Sequence, residues 1–409
     1  MARIIKDSGI KWIGEMPKEW RRVKLGYLYS FSSGTTLTAQ EFVEDGLFEV
    51  YGANGLRGRY DKSNLCGKHI LVGRVGALCG NIHLVEGEIW VTEHALISYK
   101  KSDLIIDEFS AYVFIAMNLG QYASGTAQPV IASERLKRLY VPIPPYEEQQ
   151  CIVSFLNTEC ASIDSVIEKT RVSIEEYKKL KQSIITRAVT KGIRPNRPMK
   201  DSGIEWIGEI PDEWRITKFK NLGKCRNGLT YSPEDQCGDA GTLVLRSSNI
   251  QDGRLDYSDC VYVDKSISEE LMVKPNDILI CSRNGSAKLI GKNALIPEGL
   301  NASFGAFMMI YRCRSPKYLQ YVLNSDVFSY YLGTFLTVSV NQLTGKNFDN
   351  IEFPYTDNID EQSEIINFLD NKCLEIDQLI DSKQKLLIQL EKYRESLIYE
   401  YVTGKKELV

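Results

Sequence analysis

"DSGIKWIGEMPKEW", Asp7 to Trp20, returns almost unchanged as "DSGIEWIGEIPDEW", Asp201 to Trp214. Only Lys11/Glu205, Met16/Ile210 and Lys18/Asp212 differ, at an offset of 194 residues. A second echo lies further on. "EEQQCIVSFLNTECASID" from Glu147 and "DEQSEIINFLDNKCLEID" from Asp360 share Glu148/Glu361, Gln149/Gln362, Phe155/Phe368, Leu156/Leu369, Cys160/Cys373, Ile163/Ile376 and Asp164/Asp377. The repeat is about half of a 409-residue chain. That is too long for a solenoid of roughly 20–50-residue units and long enough to bury its own core. The chain reads as two copies of one domain-plus-helix unit.

The helical part is set by spacing. Ile152, Leu156, Ile163, Ile167, Ile174, Tyr177, Ile184 and Ala188 recur in steps that keep one face. Between Pro145 and Gly192 there is neither proline nor glycine, so one helix over 146–191 is expected. Leu369, Ile376, Ile380, Leu387, Leu390, Leu397 and Tyr401 repeat the stripe up to Gly404. At 1.5 Å per residue each rod is roughly 65–70 Å long. Two rods with matching apolar seams suit an antiparallel coiled coil; the alternative is that each lies across its own domain.

The segments between the rods carry short β-like runs, such as "LFEVYG", "HILVGRVG" and "EIWVTEHALISY", then "TLVLRSS", "DILICSRNG" and "GAFMMIYRC". Gly and Asn/Asp turns separate them. The expected fold class is α/β (α+β): two globular domains with mixed twisted sheets and two long helices, in a pseudo-twofold, circularly permuted repeat. The boundaries read as 1–145, helix 146–191, linker 192–200, 201–358 and helix 359–409. "YGANGLRGRYD" aligns with "RSSNIQDGRLD", superposing Asn54 on Asn249. The scaffold is shared while the loops diverge, as in a device that presents two related sites of different specificity.

Composition excludes other classes. A chain 43% hydrophobic and 25% charged is ordinary globular protein. No apolar run of about 18 residues suggests a membrane span, and "MARIIKDSGI" lacks a signal-peptide core. Ten cysteines without CxxC pairs suit reduced thiols and a cytoplasmic location. Cys66, His69, Cys79 and His83 have spacing compatible with zinc. Gly73, Gly76 and Gly80 interrupt that segment and the second copy lacks it, so paired strands are the preferred reading and no metal site is expected.

The "WIGEIPDEW" opening, the "VPIPPYEEQ" run leading into "IVSFLNTECASID", and the duplicated organisation together resemble the specificity subunit of type I restriction–modification systems. The second copy departs from this pattern, reading "FPYTDNIDEQ" without the double proline. The resemblance implies that each globular part is a target-recognition domain reading one half of a bipartite sequence in double-stranded DNA. It also implies that the long helices set the spacing and dock two copies of an adenine-N6 methyltransferase subunit, which a restriction/translocase subunit joins. S-adenosylmethionine, ATP and Mg are then expected only in those partners, with no cofactor in this chain.

An enzyme in its own right is disfavoured by the residues. "PPY" at Pro144–Tyr146 looks like the (N/D)PPY loop of amino-methyltransferases, but Ile143 stands where the Asn or Asp would accept from the target amine. No phosphate-cradling GxxxxGK[ST] or Gly-rich cofactor loop occurs. A non-catalytic coiled-coil adaptor joining two proteins would explain the rods but not the divergent twin domains.

Charge limits how DNA could be held. The net formal charge is −3, with +2 on residues 1–145 and −4 on residues 201–358. Phosphate neutralisation usually supplies most of the affinity, so partner subunits are expected to clamp the duplex while this chain reads bases. Reading needs few groups, Arg or Lys for guanine and Asn or Gln for adenine. The candidates are Asn54, Arg57, Arg59, Lys62, Arg74 and Gln128 in the first domain. In the second they are Arg246, Ser247, Asn249, Arg283, Asn284, Lys288, Asn341, Gln342 and Lys346. Glu148, Gln149, Glu361 and Gln362 are candidates for joint or partner contacts, with helix-start capping as the simpler alternative. A twofold arrangement would also set the first opening motif against the end of the second rod.

Overall fold

The apolar stripes form two helices in a computed structural model that describes residues 3–125, 128–335 and 341–408. Helix α1 is Tyr146–Lys191 and helix α2 is Ile359–Val402. Glu147 and Glu148 in the first turn of α1, and Asp360 and Glu361 in that of α2, oppose the positive helix end. Gly192 and Gly404 follow the last turns at φ +69° and +70°, the left-handed conformation that ends a helix and favours glycine.

The chain divides into two compact units, one of Met1–Arg171 with Gln384–Val409 and the other of Val172–Lys383. Each unit therefore holds one globular domain, the start of one long helix and the end of the other. In the first unit the pairing is antiparallel: the Phe155 ring lies 4.5 Å from that of Tyr401, Asp164 binds Arg394 Nε at 2.9 Å, and Arg171 binds Glu391 at 3.0 Å. Ile152, Leu156, Ile163 and Ile167 share a core with Leu397, Ile398 and Tyr401. In the second unit Lys181 reaches both Asp377 oxygens at 2.7 Å. There Ile185, Ala188 and Val189 share a core with Ile365, Leu369 and Cys373. Ile185, rather than the expected Ile184, is the buried member of that pair. Exposed ion pairs contribute at most about 1 kcal/mol each, and a buried aliphatic side chain about 1.5–3 kcal/mol. The seam holds the rods and the ion pairs set their register.

Both domains use the same two-sheet frame. In the first, strands β1 (Tyr29–Ser33), β2 (Phe48–Gly52), β3 (His69–Gly73), β4 (Glu88–Val91) and β5 (Ala95–Lys100) form the centre. The antiparallel sheet runs β1, β5, β3, Ile82–Val85; the mixed sheet runs Gly55–Tyr60, β2, β4, Leu65–Cys66, with β2 and β4 parallel. In the second, β6 (Gly223–Asn227), β7 (Thr242–Leu245), β8 (Ile278–Cys281), β9 (Ala302–Phe304) and β10 (Met308–Cys313) repeat the plan. Here β6, β10, β8, Asn293–Leu295 form one sheet, and β7 pairs parallel with β9 in the other. Alternation along a strand gives each antiparallel sheet two apolar faces. Ile70 and Val72 pack toward α1 with Phe109 and Phe114, while Leu71 and Ile97 face Ile89 and Val91 of the mixed sheet. Ile278 and Ile280 face the helical side of the second domain, and Leu279 and Cys281 face Leu243, Leu245 and Phe304.

The repeated opening motif is a joint. In the second unit the Trp214 indole N–H donates to Glu361 Oε2 at 3.0 Å, Arg197 binds Glu361 Oε1 and Glu213, and the Arg197 guanidinium lies 5.6 Å from the Trp214 ring centroid. Thr356 Oγ1 donates to the same carboxylate at 3.2 Å. In the first unit Trp20 donates to Glu148 at 3.0 Å, and Arg3 binds Glu148 at 2.7 Å and Glu19 at 2.6 Å. The helix ends close each knot, Gly192 beside Trp214 and Gly404 beside Trp20. The first opening motif thus meets the end of α2: Tyr399 Oη donates to Trp12 O at 3.2 Å and Lys405 Nζ to Glu15 O at 3.3 Å.

This corrects the partner-contact reading of the Glu-Gln pairs. Gln149, Glu361 and Gln362 are 0%, 1% and 3% exposed. Gln149 donates to Leu104 O and Pro144 O and accepts from Ile106 N; Gln362 donates to Thr356 O at 2.7 Å. Their side chains are consumed inside the joint. Glu148 keeps 25% of its side-chain surface yet is bound by Arg3 and Trp20.

Two outcomes follow. Glu361→Ala leaves Arg197, itself 8% exposed in its side chain, as a buried charge missing its main partner, and should cost about 3–5 kcal/mol. Glu148→Ala at the more open joint should cost less, an order that chemical denaturation of the two variants checks. Leu369→Asp with Ile376→Asp places charge at positions 0% and 6% exposed. That change should lower the thermal midpoint sharply; an unchanged midpoint would refute the seam.

Candidate nucleic-acid interface

At one end of the first domain three loops meet. The β2 hairpin turns at Ala53–Asn54, the chain leaves β3 through Arg74–Gly76, and the segment around Gln128–Ile131 closes over it. Val75 and Val130 form a bridge, Ile131 N donates to Arg74 O at 2.9 Å, and Gly76 N donates to Pro129 O at 3.0 Å. Arg74 reaches Ser33 Oγ at 2.8 Å. The His83 imidazole packs against Gly55; burial pushes its pKa below the ordinary value, against the raising effect of a hydrogen bond to the Ala53 backbone.

Arg57 is the extra residue where the β2 register shifts, since Tyr51 pairs with Leu56 and Val50 with Gly58. A bulge of this kind redirects a side chain, and the Arg57 guanidinium lies 5.7 Å from the Phe42 ring centroid. Asn54, Arg57, Arg74 and Gln128 therefore fall in or beside the same loop cluster. Arg59 and Lys62 do not: Arg59 pairs with Glu49 farther along the hairpin and donates to Gly46 O and Leu47 O, and Lys62 lies beyond it.

The second domain gathers its candidates more tightly. Arg283 and Gln342 form a bridge, Leu343 N donates to Ser282 O at 2.8 Å, and Asn341 Nδ2 donates to Gly285 O at 3.1 Å. Asn284 Nδ2 donates to Ser247 Oγ at 3.1 Å. Arg283 lies 5.2 Å from the exposed Phe307 ring centroid, and Arg246 is paired with Asp259 at 2.8 Å. Lys288 is exposed on the next loop, and Lys346 on the short helix Gly345–Asp349 that Thr344 caps.

Asn249 needs correction. It is fully buried, donates to Asp256 O and Asp259 O, and accepts from Arg246 N at 2.9 Å. It shapes the loop and has no side-chain surface for a base. The alignment with Asn54 was one residue out. Thr92 N donates to Tyr51 O and Gly305 N donates to Leu245 O, each at 2.9 Å, so Tyr51 matches Leu245 and Asn54 matches Ser248.

The zinc-like set does not converge. His69 Nδ1 and Nε2 lie 3.1 Å from Ser98 O and Cys66 O, and among the described residues no three metal-ligating side chains cluster. Arg3 and Arg197, partners of the joint carboxylates, were missed because "RIIK" and "RPMK" before the repeated motif share only their ends. Glu93, His94 and Phe307, on turns beside Arg74 and Arg283, were missed because the surrounding "VTEHA" and "FGAFM" share little beyond their pattern.

The model of the type I restriction modification DNA specificity domain matches residues 17–176. The EcoprrI specificity subunit of Escherichia coli is 34% identical over 158 residues, 38% of this chain and 39% of that protein. The MjaVIII specificity subunit of Methanocaldococcus jannaschii is 24% identical over 417 aligned residues, 95% of this chain and 93% of that one. A chain solved in work on complex assembly and conformational transition of the type I R-M system superposes with a TM-score of 0.69 at 15% identity, covering 96% of this chain and 99% of its own; that likeness speaks for the fold. Residues 17–176 are thus similar to a type I restriction modification DNA specificity domain, and the chain, with its duplicated joint and twin two-sheet domains, is similar along most of its length to a type I specificity subunit.

Proposed function

We propose that each of the two domains reads one half of a bipartite duplex sequence through its loop cluster. On this reading α1 and α2 set the gap between half-sites and dock two adenine-N6 methyltransferase subunits, to which a restriction/translocase subunit adds. S-adenosylmethionine, ATP and Mg serve those partners. The observation that carries the reading is the contrast between a joint built twice from Arg, Trp and Glu and loop clusters that share almost no side chains. A common frame with divergent reading groups is what two independent half-sites require.

The electrostatics support a shared task. Of the loop cations, Arg246 is already neutralised by Asp259 at 2.8 Å. Sequence-independent affinity scales with phosphates neutralised, so the clamp on the backbone falls to the partner subunits. No described helix is long and apolar enough to cross a membrane, and a cytoplasmic site of action follows from the proposed substrate.

Exchange of residues 21–145 for the same domain of a relative should alter one half of the methylated sequence and leave the other intact, as genome-wide mapping of adenine methylation would read. Alteration of both halves would overturn independent reading. Inserting four helix-forming residues near Lys178–Lys181 lengthens α1 by about 6 Å, which corresponds to one to two base pairs at roughly 3.4 Å each. The bases read should stay the same while the unread gap grows; an unchanged gap at full activity removes the helices as the ruler.

A further inference from the structure

Two equivalent turns carry the chain from the mixed sheet to the antiparallel sheet. One, Thr92–His94, joins β4 to β5; the other, Gly305–Phe307, joins β9 to β10. Their backbones are pinned in the same way. The first residue of each donates to the end of the parallel neighbour, Thr92 N to Tyr51 O and Gly305 N to Leu245 O. The last residue accepts from the loop after the adjacent strand: His94 O from Arg74 N at 2.8 Å, and Phe307 O from Ser282 N and Arg283 N at 3.0 Å. Ser282 Oγ adds a third bond to Phe307 O at 3.0 Å.

The space behind each turn is closed as well. A side-chain carbon on Gly34 would lie 2.2 Å from Val91 O, and one on Gly228 would lie 2.3 Å from Phe304 O. Only glycine lets the first strand run this close. The frame is therefore held alike in both domains while the side chains it presents differ, Glu93-His94 in one and Ala306-Phe307 in the other.

Two further observations point outward from these turns. Phe307 is 58% exposed although its backbone is fixed by three bonds and Arg283 lies over its ring. A lone exposed apolar residue needs no explanation, but one immobilised among polar loops that converge from three directions offers a preformed apolar edge. Buried side-chain atoms without a partner also gather here: Thr92 Oγ1 and Glu93 Oε2 on the first turn, Arg246 Nε and Ser248 Oγ on the loop after β7. Such groups are costly unless something completes them.

Resting on the DNA-reading function above, we propose that these turns are the specificity-determining elements of the two domains. Phe307 packs against the C5-methyl edge of a thymine in one half-site. Glu93 accepts a hydrogen bond from a base amine, such as cytosine N4, in the other. Both contacts are major-groove chemistry, where an apolar side chain reads the thymine methyl and a carboxylate reads an exposed amine.

The test uses the chain assembled with its methyltransferase partners and a pool of duplexes randomised across both half-sites. Phe307→Ala and Phe307→Gln should each relax preference about tenfold at one base pair of one half-site, the scale of a single lost base contact, without altering the other half. Glu93→Gln should relax one position in the opposite half. Thermal midpoints should stay at the wild-type value because Phe307 is 58% exposed and Glu93→Gln keeps the shape of a half-buried side chain; where Phe307→Ala lowers the midpoint, Phe307→Gln decides. Variants that fold and retain the same sequences as wild type would overturn the proposal while leaving the domain-reading function standing. A wild-type complex that retains no preferred sequence would overturn both.

Discussion

The carboxylate at the start of each long helix is the group on which the architecture depends. Glu361 is 1% exposed, and a buried carboxylate is tolerable only with cationic and hydrogen-bonding partners around it. Those partners are Arg197 and Trp214 from the opening motif and Thr356 just before the helix. Satisfying one charge thus fixes the direction of the helix, the seat of the opening hairpin and the approach of Gly192 at the end of α1. Glu148, Arg3, Trp20 and Gly404 solve the same problem in the first unit with a more open carboxylate. The repeat in sequence is the repeat of this requirement.

A joint that is over-determined frees the far end of each domain to vary. The sheets need only alternating apolar residues, which many sequences supply, as Ile70-Leu71-Val72 and Ile278-Leu279-Ile280 illustrate. The corner turns need hydrogen-bonded backbone and a glycine opposite, and they accept any side chain that projects outward. Stability and lettering are thereby separated within one domain. Substitutions at Glu93 or Phe307 act on recognition, whereas substitutions at Trp214 or Glu361 act on the frame.

That separation also explains what the sequence disclosed. The long helices were legible because a periodic stripe bounded by Pro145 and Gly192 admits one reading, and the duplicated unit was legible because the joint permits few replacements. The contact of the first opening motif with the end of α2, with Trp12 against Tyr399, followed from counting joints against helix ends. The loops were read less well. Asn249 has the chemistry to read adenine, yet its amide is spent on Asp256 O and Asp259 O, a role that depends on a chain fold several residues away. Arg59 was lost to carbonyls of a preceding loop for the same reason. Asn and Arg serve loop geometry and base reading with the same hydrogen-bonding groups, so residue type alone does not separate the two uses. The corner turns escaped notice because their defining feature is a set of backbone bonds, to which side-chain identity gives no clue.

The charge distribution fits a reader that does not grip. A domain binding duplex DNA by itself would present unpaired cations in a row, since affinity grows with each phosphate neutralised. Here Arg246 faces Asp259, Arg226 faces Glu270, Arg215 faces Asp357 and Arg312 is held by buried Asp277. Such pairs keep arginine side chains ordered but subtract from the positive field, and the second domain remains at −4. Ordered side chains with little net field favour discrimination over affinity: a preorganised group forfeits less entropy on contact, and a wrong base meets a surface that cannot rearrange to accommodate it. Under the proposed function, affinity supplied by separate subunits would let the reading loops diverge without loss of binding, which is the physical condition for one frame to serve two different half-sites.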